Sequence, residues 1–189
     1  NNYMKPSPTI ALIVAAGRGA RLGGDTPKQY LPLAGKPVFR RTLKPFLKHP
    51  AIDGVRVVVH PDDYAYYTEA TAGFSLLEPV PGGQTRQESV RLGLESLASF
   101  SPGYVLVHDA ARPFVSLRLI SHIIEGLHHH KAVVPVLPIT DTIKRVDNNR
   151  LVETVAREGL YLAQTPQGFH YAEITSAHAG AKGLQLTDD

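Results

Sequence analysis

Four short apolar runs constrain this chain more than any other feature. Residues 10–16, 55–59, 104–107 and 132–136 are rich in β-branched side chains and do not alternate with polar ones. A strand covered on one face alternates, whereas a strand covered on both reads as a continuous apolar run. These four are therefore expected to be central strands of one sheet. Between them lie segments with helical spacing, such as Val90, Leu94 and Leu97, then Leu117, Ile120, Ile124 and Leu127. Strand and helix thus alternate. That order predicts an α/β fold, a doubly wound and mostly parallel sheet with its ligand crevice at the carboxyl ends of the strands. Its 189 residues suit a single domain. Residues 38–48 also read as a helix, which Pro45 is expected to end or kink because its ring blocks an intrahelical bond. Past Pro138 the pattern loosens into shorter extended pieces at 142–146, 151–156 and 160–164. This stretch, about 138–164, reads as an arm projecting from the sheet domain.

Composition removes several classes of function. Twenty basic residues against seventeen acidic ones give a net charge of +3, scattered along the chain rather than gathered into runs. A nucleic-acid backbone calls for such runs, so no nucleic-acid partner is expected, and phosphorylated small molecules suit the chain better. With no cysteine there is no disulfide framework, thiolate nucleophile or Cys-based zinc site, which fits a cytoplasmic location. No apolar run approaches the roughly 18 residues that span a bilayer, so no membrane partner is expected either.

The chemistry-bearing motifs follow the predicted strands. The first run leads into Ala15-Ala16-Gly17-Arg18-Gly19-Ala20-Arg21-Leu22-Gly23-Gly24, with Pro27-Lys28-Gln29-Tyr30 close behind. Glycines let backbone N–H groups surround phosphate oxygens, and Arg21 and Lys28 can neutralise charge that develops when a phosphoryl group is attacked. The spacing matches neither the dinucleotide-binding fingerprint nor the P-loop. A flexible strand-to-helix loop is the plainer reading of the glycines alone. A second pair, Gly82-Gly83, precedes Thr85-Arg86-Gln87-Glu88-Ser89 at a helix start, where unpaired N–H groups and Ser89 could meet a base or ribose.

The third motif, His108-Asp109-Ala110-Ala111-Arg112-Pro113, directly follows a buried strand, where a crevice-lining acid and base belong. Asp109 can hold a hydroxyl or assist a metal, and Arg112 offers the planar fork that grips phosphate; a structural Asp–Arg pair is the plainer alternative. The runs 141–145 and 164–169 could each be a turn. His128, His129 and His130 are consecutive on a helix end and point in different directions, so they make a poor metal site. No metal-ligating set stands out, and no Ser/His/Asp assembly supports covalent catalysis.

Taken in order, Ala-Ala-Gly-x-Gly-x-Arg-x-Gly with Pro-Lys-Gln-Tyr, Gly-Gly-x-Thr-Arg-x-x-Ser-Val, His-Asp-Ala-Ala-Arg-Pro, Asp-Thr-Ile-Lys and Ala-Gln-Thr-Pro-Gln resemble the 2-C-methyl-D-erythritol 4-phosphate cytidylyltransferases across nearly the whole chain. The resemblance implies a Rossmann-like nucleotidyltransferase that moves CMP from CTP to methylerythritol phosphate in the non-mevalonate isoprenoid pathway and releases pyrophosphate. It makes Arg21 and Lys28 the catalytic pair at the α-phosphate. Ala15, Ala16, Gly17, Gly19, Gly82, Gly83, Ser89, Asp109 and Ala110 would hold CTP. Asp109, Arg112, Thr142, Arg157, Thr165 and Thr187 would hold the acceptor. Mg²⁺ would be bound chiefly through the CTP phosphates, as that ion usually is.

A homodimer is implied as well, in which the arm exchanges between copies and brings Thr142 and Arg157 to the partner's site. Residues 1–189 then form one cytidylyltransferase domain. The family's last strand and helix, with a lysine that reaches the site, is expected beyond Asp189, and some relatives there carry a fused cyclodiphosphate synthase. Ribitol 5-phosphate cytidylyltransferases share the glycine loop and a Thr-Pro-Gln element and are the nearest rival; a nucleotide-binding module without catalysis is a further one. Ala111 and the stretch 141–144 look more like the methylerythritol enzymes.

Overall fold

The computed structural model describes residues 7–17 and 26–181. In chain order its elements are β1 (Thr9–Ala15), β2 (Pro32–Leu33), β3 (Lys36–Pro37), α1 (Val38–Lys48), β4 (Gly54–Val59), α2 (Tyr64–Thr71), β5 (Val80–Pro81) and α3 (Arg86–Ser96). Then come β6 (Tyr104–Asp109), α4 (Leu117–Leu127), β7 (Ala132–Val133), β8 (Val136–Pro138), β9 (Ile143–Asp147), β10 (Arg150–Val155), β11 (Tyr161–Ala163), β12 (Gln167–His170) and α5 (Tyr171–Gly180). Six strands form the main sheet in the order β5-β4-β1-β6-β12-β7. β1 pairs in parallel with both β4 and β6, and β4 pairs in parallel with β5. β12 runs antiparallel to both its neighbours. The sheet is mixed and mostly parallel, as the sequence predicts.

Two-sided burial explains the unbroken apolar runs. Alternate residues of β1 face opposite ways: Ala11, Ile13 and Ala15 join one core cluster, and Ile10 and Leu12 the other. The first cluster gathers Phe39, Leu43 and Phe46 of α1 with Ile120, Ile123 and Leu127 of α4. The second takes Val90 and Leu94 of α3 with Ile174 of α5. Helices therefore cover both faces. The caps agree with the sequence: Thr85 Oγ1 accepts from Glu88 N at 3.0 Å and Ser116 Oγ from Leu119 N at 3.1 Å, each supplying a first-turn N–H with an acceptor.

Three expectations need correction. Residues 132–136 do not form one central strand. Pro135 has no N–H to give a ladder, so the run divides into β7 at the sheet edge and β8, which pairs with β11 in a separate ribbon. Val136 and Leu137 are accordingly about half exposed, at 49% and 53%. Pro45 does not end α1, which continues to Lys48; buried Phe39, Thr42, Leu43 and Phe46 hold the helix on the sheet across the missing bond. The segment 164–169, a turn in the plainer reading, contributes the interior strand β12 instead.

β9 and β10 form an antiparallel hairpin closed by Asn148 and Asn149, whose φ values of 46° and 59° are the left-handed pair that a tight two-residue turn requires. Among the described residues, no helix is long and apolar enough to cross a membrane.

β12 fits between β6 and β7 because Gly168 has no side chain: a Cβ there would lie 2.4 Å from Ile123 Cγ2 and 3.0 Å from Leu127 Cδ1. Gly168→Ala forces the Ile123 and Leu127 side chains of α4 to shift. Urea denaturation should show a loss of about 1–3 kcal/mol, the usual cost of overpacking a core.

Candidate active site

The chain leaves β1 toward β4 but leaves β6 toward the other edge, so the loops following these neighbouring strands diverge and open a crevice at their carboxyl ends. A cleft of about 1480 Å³ occupies this place. Its lining brings together Ala15, Ala16 and Gly17 at the end of β1, then Lys28, then Gly82, Gly83 and Ser89 around the start of α3, Asp109, Ala110 and Arg112 at the end of β6, and Thr165 before β12. Eleven of the residues chosen from sequence thus meet in one space, although they come from five separate stretches of chain.

Arg21, Gly19 and Thr187 lie outside the described residues. Thr142 and Arg157 belong to the arm, are exposed, and do not line the cleft of their own chain. Arg157 donates to the carbonyl of Thr140, at the root of the hairpin.

Close approach shapes the part of the cleft around Gly82 and Gly83. A Cβ on Gly82 would stand 2.3 Å from Ala16 Cβ and 2.9 Å from Ser89 Oγ, so only glycine lets the loop after β5 pack against the end of β1. Ser89 is buried, accepts from Gly83 N at 3.1 Å and donates to Thr85 O at 2.9 Å. Its hydroxyl therefore braces the Gly82-Gly83 turn. Glu88 accepts from Gln84 N at 2.7 Å, a variant of the capping box that reaches one residue further back.

Gln29, to which the motif reading gave no role, is 2% exposed and donates from Nε2 to Ala15 O at 2.8 Å and Gly17 O at 3.1 Å. It straps the short 3-10 turn Lys28–Tyr30 to the glycine loop, so Lys28 reaches the cleft from a fixed base. Arg86 is the second residue that sequence reasoning missed. Its Nε lies 3.1 Å from Asp109 Oδ1, while Arg112 Nε lies 3.1 Å from Oδ2. Each oxygen of the carboxylate thus has its own guanidinium, which is the structural Asp–Arg pair of the plainer alternative. Arg112 Nη1 also donates to Gln164 Oε1 at 3.1 Å. Asp62 and Asp109 are the carboxylates among the described lining, set against Lys28, Arg86 and Arg112. The balance favours an anionic ligand.

His108 lies between the Arg112 main chain and Thr165, fully buried. Burial pushes its pKa down to about 4, so the ring is neutral near pH 7. Nε2 is 2.9 Å from the carbonyl of Arg112 and Nδ1 is 2.8 Å from Thr165 Oγ1.

An α/β fold in which Ala15–Gly17, the cations Lys28, Arg86 and Arg112 and a braced helix start meet at the carboxyl ends of the central strands has the architecture of the nucleotide-binding class. The family model for "IspD: 2-C-methyl-D-erythritol 4-phosphate cytidylyltransferase" matches residues 9–189, and the chain belongs to that family. A bifunctional enzyme IspD/IspF of Paramagnetospirillum magneticum is 54% identical over 181 residues, which cover 96% of this chain and 47% of that protein. The chain therefore spans about half the length of such relatives. The crystal structure of 2-C-methyl-D-erythritol 4-phosphate cytidylyltransferase from Thermus thermophilus superposes with a TM-score of 0.77 at 37% identity, covering 94% of this chain and 79% of that one. The bifunctional IspDF of Campylobacter jejuni gives 0.78 at 27% identity, covering 96% and 45%.

The buried ring carries a prediction for acid stability. An unfolded histidine titrates near pH 6.5, whereas His108 in the fold resists protonation until about pH 4. As pH falls through that window the unfolded chain binds a proton that the folded chain refuses, so stability falls. Between pH 7 and 5, wild type should lose up to about 2 kcal/mol more than His108→Gln in urea titrations, the value expected from the linked proton. Equal losses would mean that the ring titrates normally.

Proposed function

We propose that the protein containing this chain transfers CMP from CTP to 2-C-methyl-D-erythritol 4-phosphate, releasing pyrophosphate. The observation that carries this reading is the convergence of Ala15–Gly17, Lys28, the Gly82–Ser89 helix start and the Asp109–Arg112 pair on one cleft. CTP would lie along Ala15–Gly17 with its base at Gly82, Gly83 and Ser89, where backbone groups can test the exocyclic amine of cytosine. The acceptor phosphate oxygen would attack the α-phosphorus in line, with Asp109, Arg112 and Thr165 holding the acceptor. Positioning and charge stabilisation are what the protein supplies in such a step. Lys28, and Arg21 by its motif, would meet the charge that grows on the α-phosphoryl oxygens.

The donor set suits a Mg²⁺ carried by the triphosphate: both Asp109 oxygens already face guanidinium groups, and no group of three or more metal-ligating side chains occurs among the described residues. When bound, the ion would neutralise charge on the leaving pyrophosphate. The cysteine-free composition suits a reducing cytoplasm.

We also propose a homodimer in which the arm completes the partner's site. The arm is apolar and uncovered: Leu137, Val146, Leu151, Val152, Tyr161 and Leu162 are all at least half exposed, and hairpins are marginal in water without cover. Exchange between copies would carry Thr142 and Arg157 to the acceptor phosphate opposite Arg112, giving a clamp with one guanidinium from each subunit.

Two measurements test these readings. Full-length protein supplied with CTP and Mg²⁺ should release pyrophosphate with methylerythritol phosphate faster than with ribitol 5-phosphate, and the opposite preference would overturn the acceptor. In the same assay Lys28→Ala should lower kcat by roughly 10²–10³-fold with little change in KM for CTP, as expected of a group needed in the transition state. A raised KM at unchanged kcat would make Lys28 a ground-state ligand. For the shared site, Arg112→Ala and Arg157→Ala should each be nearly inactive alone yet recover about a quarter of wild-type activity when mixed and allowed to exchange subunits, because random pairing makes about half the dimers mixed, with one intact site in each. No recovery in a mixture shown by mass to contain heterodimers would place Arg157 in its own subunit's chemistry.

A further inference from the structure

His108 joins the two loops that supply the acceptor side, and its hydrogen bonds have a fixed direction. The carbonyl of Arg112 can only accept, so Nε2, 2.9 Å away, carries the ring proton. Nδ1 is then a bare lone pair, and Thr165 Oγ1 at 2.8 Å must donate to it. A hydroxyl has one proton, so Thr165 has no donor left. Asp109 N–H lies 3.5 Å from the same Oγ1 and occupies one of its lone pairs at long range. What Thr165 can offer the cleft is its remaining lone pair.

We propose that His108 is a positioning residue that fixes Thr165 as a hydrogen-bond acceptor, so that this threonine selects a hydroxyl of the acceptor polyol and not its phosphate. A phosphate oxygen only accepts at neutral pH and would find no proton on Thr165, whereas a polyol hydroxyl has one to give. The same ring tethers the Arg112 main chain, which leaves the phosphate to the Arg112 guanidinium and divides the acceptor between two contacts of opposite polarity. The buried, neutral state of the ring suits this arrangement, because an imidazolium would need acceptors on both nitrogens and would turn the threonine proton outward. The proposal rests on the cytidylyltransferase reading for the identity of the polyol, but the polarity of Thr165 is a property of the fold itself.

Two experiments on the full-length protein decide it. The first is a long-range proton–nitrogen correlation spectrum of the ligand-free protein, with His108 identified by the signals that vanish in His108→Gln. At pH 7 it should show a neutral ring protonated at Nε2; an Nδ1–H tautomer or an imidazolium overturns the proposal. The second is steady-state kinetics of two partial mimics. His108→Asn places an amide oxygen near the former Nδ1 and can still accept from Thr165, while His108→Gln keeps a donor for Arg112 O and abandons Thr165. The glutamine variant should raise KM for methylerythritol phosphate roughly tenfold, with KM for CTP within about twofold, the scale of one misdirected polar contact. The asparagine variant should restore most of that loss. Equal defects in the two variants, or KM values for CTP and acceptor rising together, would mean that His108 only supports the fold. Failure of wild type to turn over CTP with methylerythritol phosphate would sink the cytidylyltransferase reading, and the spectrum would still judge His108.

Discussion

The parallel pairing of β1 with β4 on one side and β6 on the other is the constraint on which the remaining structure depends. A strand so placed is buried on both faces and both edges, so its residues must be apolar, as Ile10, Leu12 and Ile13 are. It also sets Val14 opposite Asp109, so the glycine loop and the acid motif emerge side by side whatever the connections between them do. Ala110 N–H donates to Val14 O at 3.0 Å, which extends the pairing past the end of β6 and fixes the height at which Asp109 meets the cleft. The geometry of the site is in this sense a consequence of strand register.

Charge is arranged around that register. Asp109 stands between two guanidinium groups, one from the helix start of α3 and one three residues along its own loop. Each pair is about a third to a half exposed, where an isolated ion pair contributes roughly 0–1 kcal/mol, so stability is a poor account of the arrangement. Its more direct effect is geometric. A carboxylate held from both sides cannot turn, and the two forks it holds are themselves aimed. Gln29 plays a comparable part for Lys28, with both amide protons given to main-chain carbonyls, so a flexible lysine is presented from a rigid turn.

Sequence reading reached the sheet and the glycine-rich loops because both leave local marks. Continuous apolar runs at 10–16, 55–59 and 104–107 became β1, β4 and β6, and the helical spacing from Val90 and from Leu117 became α3 and α4. It failed where the deciding contact was distant. β12 is four residues long and follows Pro166, and nothing in Gln167-Gly168-Phe169-His170 announces a strand; its place depends on Val107 and Leu106, some sixty residues earlier. The run 132–136 misled in the opposite sense, since its apolar residues suit a central strand while Pro135 divides them between the edge of the main sheet and a separate two-stranded ribbon. At the site the motifs supplied Lys28, Asp109 and Arg112 but not the partners that aim them. Arg86 and Gln29 were visible as letters within motifs, and only a carboxylate 23 residues away or two carbonyls on another loop gave them work.

The arm shows how far local bonding can carry a segment with no core of its own. Its turn is well chosen, and Arg145 Nε to Glu153 Oε1 and Lys144 Nζ to Thr154 Oγ1, both 2.6 Å, tie the two strands, one pair on each face of the ribbon. These are exposed cross-strand contacts, each of a kind that contributes roughly 0.2–1 kcal/mol. Isolated two-stranded hairpins are marginal in water, so contacts of this size leave the arm to gain by burying apolar surface. The arm carries that surface at Val146, Leu151 and Val152, all more than half exposed within the single chain. A segment whose apolar surface has no cover in its own chain suits the proposed completion of a site on another copy, which would present Thr142 and Arg157 only to an assembled cleft.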